Sequence, residues 1–381
     1  MEVTRKQLLA GGAALALAGC GGAKKPAAKP EAGLDPRYRH FDAFLFAAHG
    51  QPVRDAIERH RRGLDAGAAA YLHEHEAELD AAVGAAAAKF LDVPAAELAF
   101  TDSTTMGLGL VYAGLLGPGD EVLTTEHDHY ATHEALRLSG ARVRKVALYD
   151  DPAGATPGET LDRLRRAITP RTKVVAVTWV HSGTGVKLPL HELGDIEPLV
   201  VVDGVHALGV TEPRVTGDVL IAGTHKWLGG PRGTGLIWTR EWTRIRPTIP
   251  SFSFSDEPGP RFTPGGWHSF EHRWALAQAF ESYDGDAPRR IEQLATRLKD
   301  GLAELPNVRL VTPRAPAVSA GIVCFVVSGM DAATAVSRLG EARIRASVTP
   351  DAQQYVRLGT SLHVDEEDVD AAVSSVKGLR G

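Results

Sequence analysis

Two short apolar segments of this chain each lead into a residue that could take part in catalysis. Residues 200–202 are valines followed by Asp203, and the apolar residues 219–222 lie just before Lys226. In an open parallel sheet, the carboxyl ends of the strands border one crevice in which ligands bind. There a lysine amine can form a Schiff base with the aldehyde of pyridoxal phosphate, while a carboxylate keeps the ring nitrogen protonated. The pair predicts a pyridoxal phosphate site, although an aspartate after an apolar strand is also common in α/β proteins without a cofactor.

The segments that must position this pair alternate between strand and helix patterns. A helical pattern covers about residues 52–91, and short apolar strands alternate with helical segments as far as Trp238. This order is typical of a doubly wound α/β domain. The predicted strands are residues 97–100, 121–125, 142–146, 173–178 and 199–202.

Proline and glycine cluster between residues 247 and 266, which indicates a domain boundary. A long helical segment follows at residues 267–283, and strands such as 308–312 and 322–327 then alternate with helices. We therefore expect a large domain over residues 41–260 and a smaller α+β domain over residues 261–381.

A Ser/Thr loop follows the first predicted strand and opens a helix. Its residues Ser103, Thr104 and Thr105 carry hydroxyls, and backbone N–H groups at a helix N-terminus bind phosphate well. The loop is a candidate phosphate site, although serine and threonine also begin many helices that bind nothing.

A histidine-rich loop follows the strand at residues 121–125. A flat imidazole such as that of His127 could stack on a planar cofactor. Zinc binding is the alternative, because His129 and His133 are one helical turn apart. The sequence lacks the histidine–glutamate pattern of the zincins, which disfavours a metal site.

Four further polar residues are candidates for binding a cofactor or a substrate. Ser182 lies in a loop of small residues, and His206 follows Asp203 closely enough to donate to a ring oxygen. His225 precedes Lys226 and could contact the cofactor or its phosphate. Arg357 lies in a strand-like segment and could bind an α-carboxylate through its two-pronged guanidinium group.

The N-terminal residues have the pattern of an export signal. Arg5 and Lys6 precede an apolar stretch at residues 8–18, which is too short for a stable membrane span and ends in small residues. Residues 17–20, Leu-Ala-Gly-Cys, resemble a bacterial lipobox, whose cysteine becomes the lipid-bearing residue. We expect a lipoprotein signal peptide at 1–20, a flexible tether at 21–40 and a lipid anchor at Cys20. Both the general and the twin-arginine export routes remain open, since Lys6 replaces the second arginine.

The composition indicates a globular protein that binds a small ligand. Of the 381 residues, 44% are hydrophobic and 23% are charged, with a net charge of −5. Basic residues are scattered rather than clustered, which argues against nucleic acid as a partner. The chain has two cysteines, Cys20 and Cys324, and lipidation of the first excludes a disulfide framework.

Taken in order, these segments resemble the class V aminotransferase family of fold-type I pyridoxal phosphate enzymes. That family includes cysteine desulfurases and isopenicillin N epimerase-like proteins. The resemblance rests on residues 203–207, Asp-Gly-Val-His-Ala, and residues 223–227, Gly-Thr-His-Lys-Trp, and it runs from about Gln51 to the C-terminus. It implies a large doubly wound mixed-sheet domain, a smaller α+β C-terminal domain and a homodimer.

The resemblance also implies a role for each candidate residue. Lys226 carries the cofactor and moves the proton, Asp203 pairs with the ring nitrogen, and Arg357 binds the substrate carboxylate. His127 stacks on the ring, with His129 as the alternative. The remaining cofactor contacts come from Ser103, Thr104, Thr105, Thr224 and His225 at the phosphate, Ser182 and His206 near the ring hydroxyl, and Thr263 at the phosphate of a partner subunit.

The sequence departs from the desulfurases at the residue that their chemistry requires. Desulfurases use a mobile cysteine near the small-domain loop, but residues 344–355 contain none and Cys324 lies in an apolar strand. Ser182 and His206 stand where desulfurases usually carry asparagine and glutamine. The resemblance therefore favours an epimerase-like enzyme, an aminotransferase or epimerase acting on an amino acid or a metabolite derived from one. A lyase, a periplasmic tailoring enzyme and a degenerate lipid-anchored binding protein remain alternatives.

Overall fold

The computed structural model describes residues 33–212, 214–252 and 256–379. The predicted signal peptide, its Cys20 and residues 21–32 of the predicted tether lie outside the described residues. Within the rest of that tether, Arg39–His40 form a strand, so a flexible tether cannot extend to residue 40 as predicted. Among the described residues, no helix is both long enough and apolar enough to cross a membrane.

The described chain alternates strands and helices as the sequence predicts. The strands are β1 (Arg39–His40), β2 (Leu98–Thr101), β3 (Glu121–Thr125), β4 (Arg142–Val146), β5 (Thr172–Thr178), β6 (Leu199–Asp203), β7 (Val219–Gly223), β8 (Gly235–Thr239), β9 (Val308–Leu310), β10 (Ile322–Val327), β11 (Ile344–Arg345), β12 (Ser347–Val348) and β13 (Val356–Gly359). The helices are α1 (Gln51–Leu91), α2 (Thr104–Leu115), α3 (Tyr130–Leu138), α4 (Pro157–Ala167), α5 (Pro258–Phe262), α6 (Phe270–Glu281), α7 (Ala287–Ala303), α8 (Ala332–Glu341) and α9 (Glu366–Lys377).

A mixed seven-stranded sheet forms the centre of the molecule. Its strand order is β2-β8-β7-β6-β5-β3-β4, and β8 alone runs against the other six strands. Strands β6 and β7 are buried along their whole length, which explains their continuous apolar sequences. The predicted doubly wound α/β architecture with a mixed sheet is confirmed.

Helices cover both faces of this sheet. On one face, Leu108, Val111 and Tyr112 of α2 pack with Leu136 of α3 against the apolar side chains of the strands. On the other face, the core includes residues of α1 and of α6, and these two helices pack against each other. Both faces are thus sealed, and polar side chains concentrate at the ends of the strands.

A second sheet with the order β12-β13-β10-β9 is antiparallel throughout. Its core combines apolar side chains of these strands with those of α7, α8 and α9. The N-terminal strand β1 pairs with β11, and Phe41 packs in this second core. The segment before α1 therefore links the two sheets.

Candidate active site

Three parallel strands end side by side at one edge of the large sheet. Thr178, the last residue of β5, lies opposite Asp203, the last residue of β6. Asp203 in turn lies opposite Ile221 of β7, and the chain continues from β7 to Lys226. Because the strands run in the same direction, their C-terminal loops open on a single crevice.

Lys226 occupies a largely desolvated position in this crevice. Its Nζ lies 3.2 Å from Nε2 of His206. Burial lowers the pKa of Lys226 to about 8; the negative charge of Asp203 opposes this shift and the positive charge of Arg357 adds to it. The neutral amine, which a nucleophile or a general base requires, is therefore far more abundant near neutral pH than it would be for an exposed lysine.

Asp203 is buried beside this lysine. Its Oδ1 accepts a hydrogen bond of 3.1 Å from the backbone N–H of Val205. Burial raises the pKa of Asp203 to about 6, while the Val205 bond, the charge of Lys226 and the Thr132 hydroxyl act in the lowering direction. A buried carboxylate of this kind would pair strongly with a cationic ring nitrogen.

The two candidate histidines for ring stacking have different surroundings. His127 stacks on Tyr149, with the ring centroids 3.8 Å apart and an interplanar angle of 10°. Its Nε2 accepts a hydrogen bond of 3.1 Å from the backbone of Leu148. One face of the His127 ring is therefore covered by a protein side chain, and its stacking on the cofactor stays a prediction.

His129 faces the crevice instead. Its pKa is lowered by burial and then by the positive charges of Lys226 and Arg357. Its Nδ1 accepts a hydrogen bond of 3.2 Å from Ala131 and so caps α3, which fixes the ring at the start of that helix. We therefore favour His129, the alternative, as the stacking residue.

His133, the other histidine of the alternative zinc pair, contacts groups of the protein. His133 hydrogen-bonds the carbonyl of Thr125 through Nε2, and its Nδ1 lies 3.2 Å from Lys145 Nζ. No group of three or more histidine, cysteine, aspartate or glutamate side chains in the described part of the chain is arranged to hold a metal ion.

The Ser/Thr loop forms the N-terminus of α2 as predicted. The Ser103 hydroxyl caps this helix by accepting from the N–H of Met106 at 3.1 Å. Thr104 Oγ1 is buried without a hydrogen-bond partner. A Cβ added to Gly223 would lie 2.9 Å from that oxygen and 2.8 Å from His225 Cε1, so Thr104 and His225 approach the same point. Thr105 lies on the exposed side of the turn.

Two of the predicted phosphate contacts, Thr224 and Thr263, form hydrogen bonds within this chain. The Thr224 hydroxyl is buried and hydrogen-bonded to the carbonyl and the hydroxyl of Thr234, so it braces the turn after β7 instead of lining the crevice. The Thr263 hydroxyl accepts from the backbone N–H of Phe100 at 3.0 Å. Thr263 thus anchors α5 to β2 of its own chain, and its contact with a partner's phosphate stays a prediction.

The small sheet brings Arg357 to the opposite side of the crevice. Its Nη1 donates to the carbonyl of Ser182 at 3.1 Å, while Nε and Nη2 both donate to the Ser347 hydroxyl at 3.1 Å. The guanidinium lies 4.1 Å over the ring of Phe44. These contacts hold the side chain in one orientation, with burial lowering its pKa.

A family model decides the relationship of this chain to known proteins. The model described as Aminotransferase class-V matches residues 51–258. This chain belongs to the class-V aminotransferase family. Pyridoxal phosphate is the cofactor of that family, so the predicted family and cofactor are both confirmed.

Individual class-V relatives lie in two groups. Isopenicillin N epimerase of Streptomyces clavuligerus is 27% identical over 322 residues, which cover 74% of this chain and 80% of the relative. Probable cysteine desulfurase 2 of Mycobacterium leprae is 28% identical over 288 residues, 64% of this chain and 65% of the relative. The solved complex of the cystine C-S lyase C-DES with cysteine persulfide has the same fold, with a TM-score of 0.81, 23% identity and coverage of 90% of this chain and 97% of that one.

The side chains of this class-V chain fit pyridoxal phosphate. Thr104 Oγ1, at the start of α2, and His206 Nδ1, on the imidazole beside Lys226, are buried polar atoms without a partner among the described residues. Unpaired buried polar atoms are costly, and ligand oxygens would satisfy both. A carboxylate, a lysine and a capped helix N-terminus complete the set that a phosphorylated pyridine aldehyde requires.

Three residues of the site were missed from the sequence. Tyr149 bonds His181 and Thr184 through its hydroxyl, each at 3.0 Å, and it supports the loop that contains Ser182. Phe44 precedes the segment in which the family resemblance begins, and Thr132 lies inside a helix. Neither spacing nor composition marks these positions, because their roles arise only from tertiary packing.

Proposed function

We propose that this protein is a pyridoxal phosphate enzyme that acts at the α-carbon of an amino acid or of a metabolite derived from one. The reaction is transamination or epimerisation. The observation that carries the proposal is the position of Lys226, whose amine lies 3.2 Å from His206 Nε2 and has a pKa lowered by burial, within reach of the charges of Asp203 and Arg357. A pure binding protein has no need of a poised lysine opposite a buried aspartate.

Each side chain has a defined task in this proposal. When bound, pyridoxal phosphate supplies an electron-withdrawing ring that stabilises negative charge at the α-carbon. The neutral Lys226 amine accepts the α-proton, and Asp203 holds the proton of the ring nitrogen in place. His206, whose pKa lies well below its ordinary value because it is buried, is neutral and can accept a hydrogen bond from the Lys226 ammonium.

Arg357 binds the substrate carboxylate in this arrangement. A guanidinium has five N–H groups, and the contacts to Ser182 and Ser347 use one on each nitrogen. One N–H remains on Nη1 and one on Nη2. That pair matches the two oxygens of a carboxylate and would orient the α-carbon relative to Lys226.

Desulfurase chemistry is disfavoured by the cysteine content. Cys324, the one cysteine among the described residues, is fully buried in β10, and burial raises the pKa of its thiol to about 12. A thiol in this state is a poor nucleophile. We expect Cys324→Ala to keep the reaction of the parent protein with amino acids, as measured by initial rates. Loss of turnover with an intact fold would instead favour a desulfurase.

Hydrogen exchange at the α-carbon tests the proposal. The purified holoenzyme is incubated in deuterated water with a panel of L- and D-amino acids, and deuterium at the α-carbon is measured by mass spectrometry. Incorporation that depends on Lys226 is the expected result. Keto acid as product would identify transamination, and the opposite enantiomer would identify epimerisation. Loss of a β-substituent would identify a lyase. No exchange with any substrate would favour a degenerate binding protein.

We also propose that the protein is exported and anchored to a bacterial membrane through Cys20. The basis is the order of Arg5 and Lys6, the apolar residues 8–18 and the Leu-Ala-Gly-Cys sequence. Cys20→Ser should move the protein from the membrane fraction to the soluble fraction of a bacterial host. Equal distributions of the parent and the variant would contradict lipidation.

A further inference from the structure

The loop between β12 and β13 carries a carboxylate to the mouth of the crevice. Asp351 of this loop packs directly on Gly183. A Cβ added to Gly183 would overlap Asp351 Oδ2 and lie 2.9 Å from its Cγ. Residue 183 therefore has to be glycine while the Asp351 carboxylate occupies that space. Asp351 is also close to Arg357 along the chain contacts, because the carbonyl of the neighbouring Ser182 accepts a hydrogen bond from Arg357.

No hydrogen bond or ion pair of the Asp351 carboxylate is seen within residues 33–212, 214–252 and 256–379. Asp351 is exposed, but its carboxylate is close enough to Arg357 and Tyr149 for its negative charge to act in the raising direction on the pKa of both groups. Partial burial raises the pKa of Asp351, and the charge of Arg357 opposes this shift. A cation close to this unpaired carboxylate would be stabilised by its negative charge.

Opposite charges thus border the same opening without pairing with each other. Arg357 has two N–H groups without a protein acceptor, one on Nη1 and one on Nη2. The Asp351 carboxylate packs against Gly183, next to Ser182. A molecule with a carboxylate at one end and a cation at the other would satisfy both. The α-amine of the substrate is not that cation, because the proposed reaction requires this amine to react with the cofactor that Lys226 carries.

We propose that Asp351 is a specificity-determining residue that selects substrates with a positively charged side chain. The substrate class is a basic amino acid of the lysine or ornithine type, or a metabolite that retains such a side chain. This inference rests on the proposed function and narrows its substrate. Asp351 takes no part in proton transfer, so its effect belongs to binding and not to the chemical step.

Amino acids of similar length but different side-chain charge provide the probe. L-lysine, L-norleucine and L-2-aminoadipate have side chains of similar length that are cationic, neutral and anionic. The dissociation constant of each is measured from the change in visible absorbance of the holoenzyme, for the parent, for Asp351→Asn and for Asp351→Ala. Asp195→Asn is the matched control, because Asp195 is exposed in the loop before β6, at the opposite edge of the sheet.

The parent should bind lysine about ten-fold more tightly than norleucine, an effect between those of an exposed and a buried ion pair. Both Asp351 variants should lose this preference through weaker lysine binding alone, while Asp195→Asn retains it. Equal binding of lysine and norleucine by the parent would overturn the inference.

An equal change in the three dissociation constants on substitution of Asp351 would also overturn it, since Asp351 would then act only through Arg357. No absorbance response to any amino acid would contradict the proposed function itself, and this inference with it.

Discussion

Lys226 is the residue whose surroundings have the most direct chemical consequence. Burial lowers its pKa from 10.5 to about 8, and the charge of Asp203 limits the shift. The amine must be neutral to react with an aldehyde. The rate at which apoprotein becomes coloured on addition of pyridoxal phosphate should therefore rise with pH, with a midpoint near pH 8, as measured by stopped-flow absorbance.

The variant Asp203→Asn tests the cause of this shift. Removing the negative charge that raises the pKa of Lys226 should move the midpoint to lower pH. A parent midpoint near pH 10, or a variant profile displaced to higher pH, would contradict this account of the lysine.

The two histidines of the loop after β3 make a second residue-level test. His129→Ala should weaken retention of the cofactor and alter its visible band, because His129 lies near Lys226 and Arg357. His127→Ala should leave the band unchanged and lower the free energy of unfolding by about 1 kcal/mol, the usual contribution of a stacked pair. Spectra after dialysis and urea unfolding curves measure the two effects. The reverse pattern would restore His127 as the stacking residue.

At the level of elements, strands β12 and β13 hold Arg357 in one orientation. Arg357→Lys loses the two-pronged geometry. It should weaken binding of amino acids by about 2 kcal/mol, roughly thirty-fold in the dissociation constant, without changing the visible band. Arg309→Lys on β9 is the control, since Arg309 is exposed and β9 is the far edge strand of the same sheet, separated from β13 by β10. Unchanged affinity in Arg357→Lys would exclude this arginine from carboxylate binding.

The sequence predicts these elements best where burial imposes a pattern. Strands β3, β4 and β10 agree with their predicted bounds, because unbroken or alternating runs bounded by polar residues mark their ends. The reversed direction of β8 could not be predicted, since strand direction depends on the connection and not on the strand's own residues.

The orientation of the site side chains could not be predicted from the sequence either. His127 and His129 are two residues apart, and both follow a strand, so their types and spacing are equivalent. Only the packing of Tyr149 against His127 distinguishes them. Thr224 likewise precedes a site residue but turns toward Thr234.

At the scale of the whole molecule, exposed apolar side chains support the proposed homodimer. Trp267 is 85% exposed and Phe252 is 70% exposed, and both line the cavity that Thr263 borders. Large apolar side chains clustered at a surface commonly mark an interface. The protein should sediment as a dimer, and Trp267→Asp should weaken the dimer and its retention of cofactor.

Leu138→Asp provides the control for this prediction. Leu138 is also exposed, but it lies at the end of α3 and away from that cavity. Dissociation by the Leu138 variant alone, or a monomeric parent that retains cofactor, would contradict the proposed interface.

The visible absorption spectrum of the purified protein tests the central claim most directly. The parent and Lys187→Ala, which removes another lysine whose pKa is lowered by burial, should both show a yellow band after addition of pyridoxal phosphate. Lys226→Ala should lack that band. A parent that stays colourless, or a band that survives in Lys226→Ala, would contradict the assignment of Lys226 as the residue that carries the cofactor.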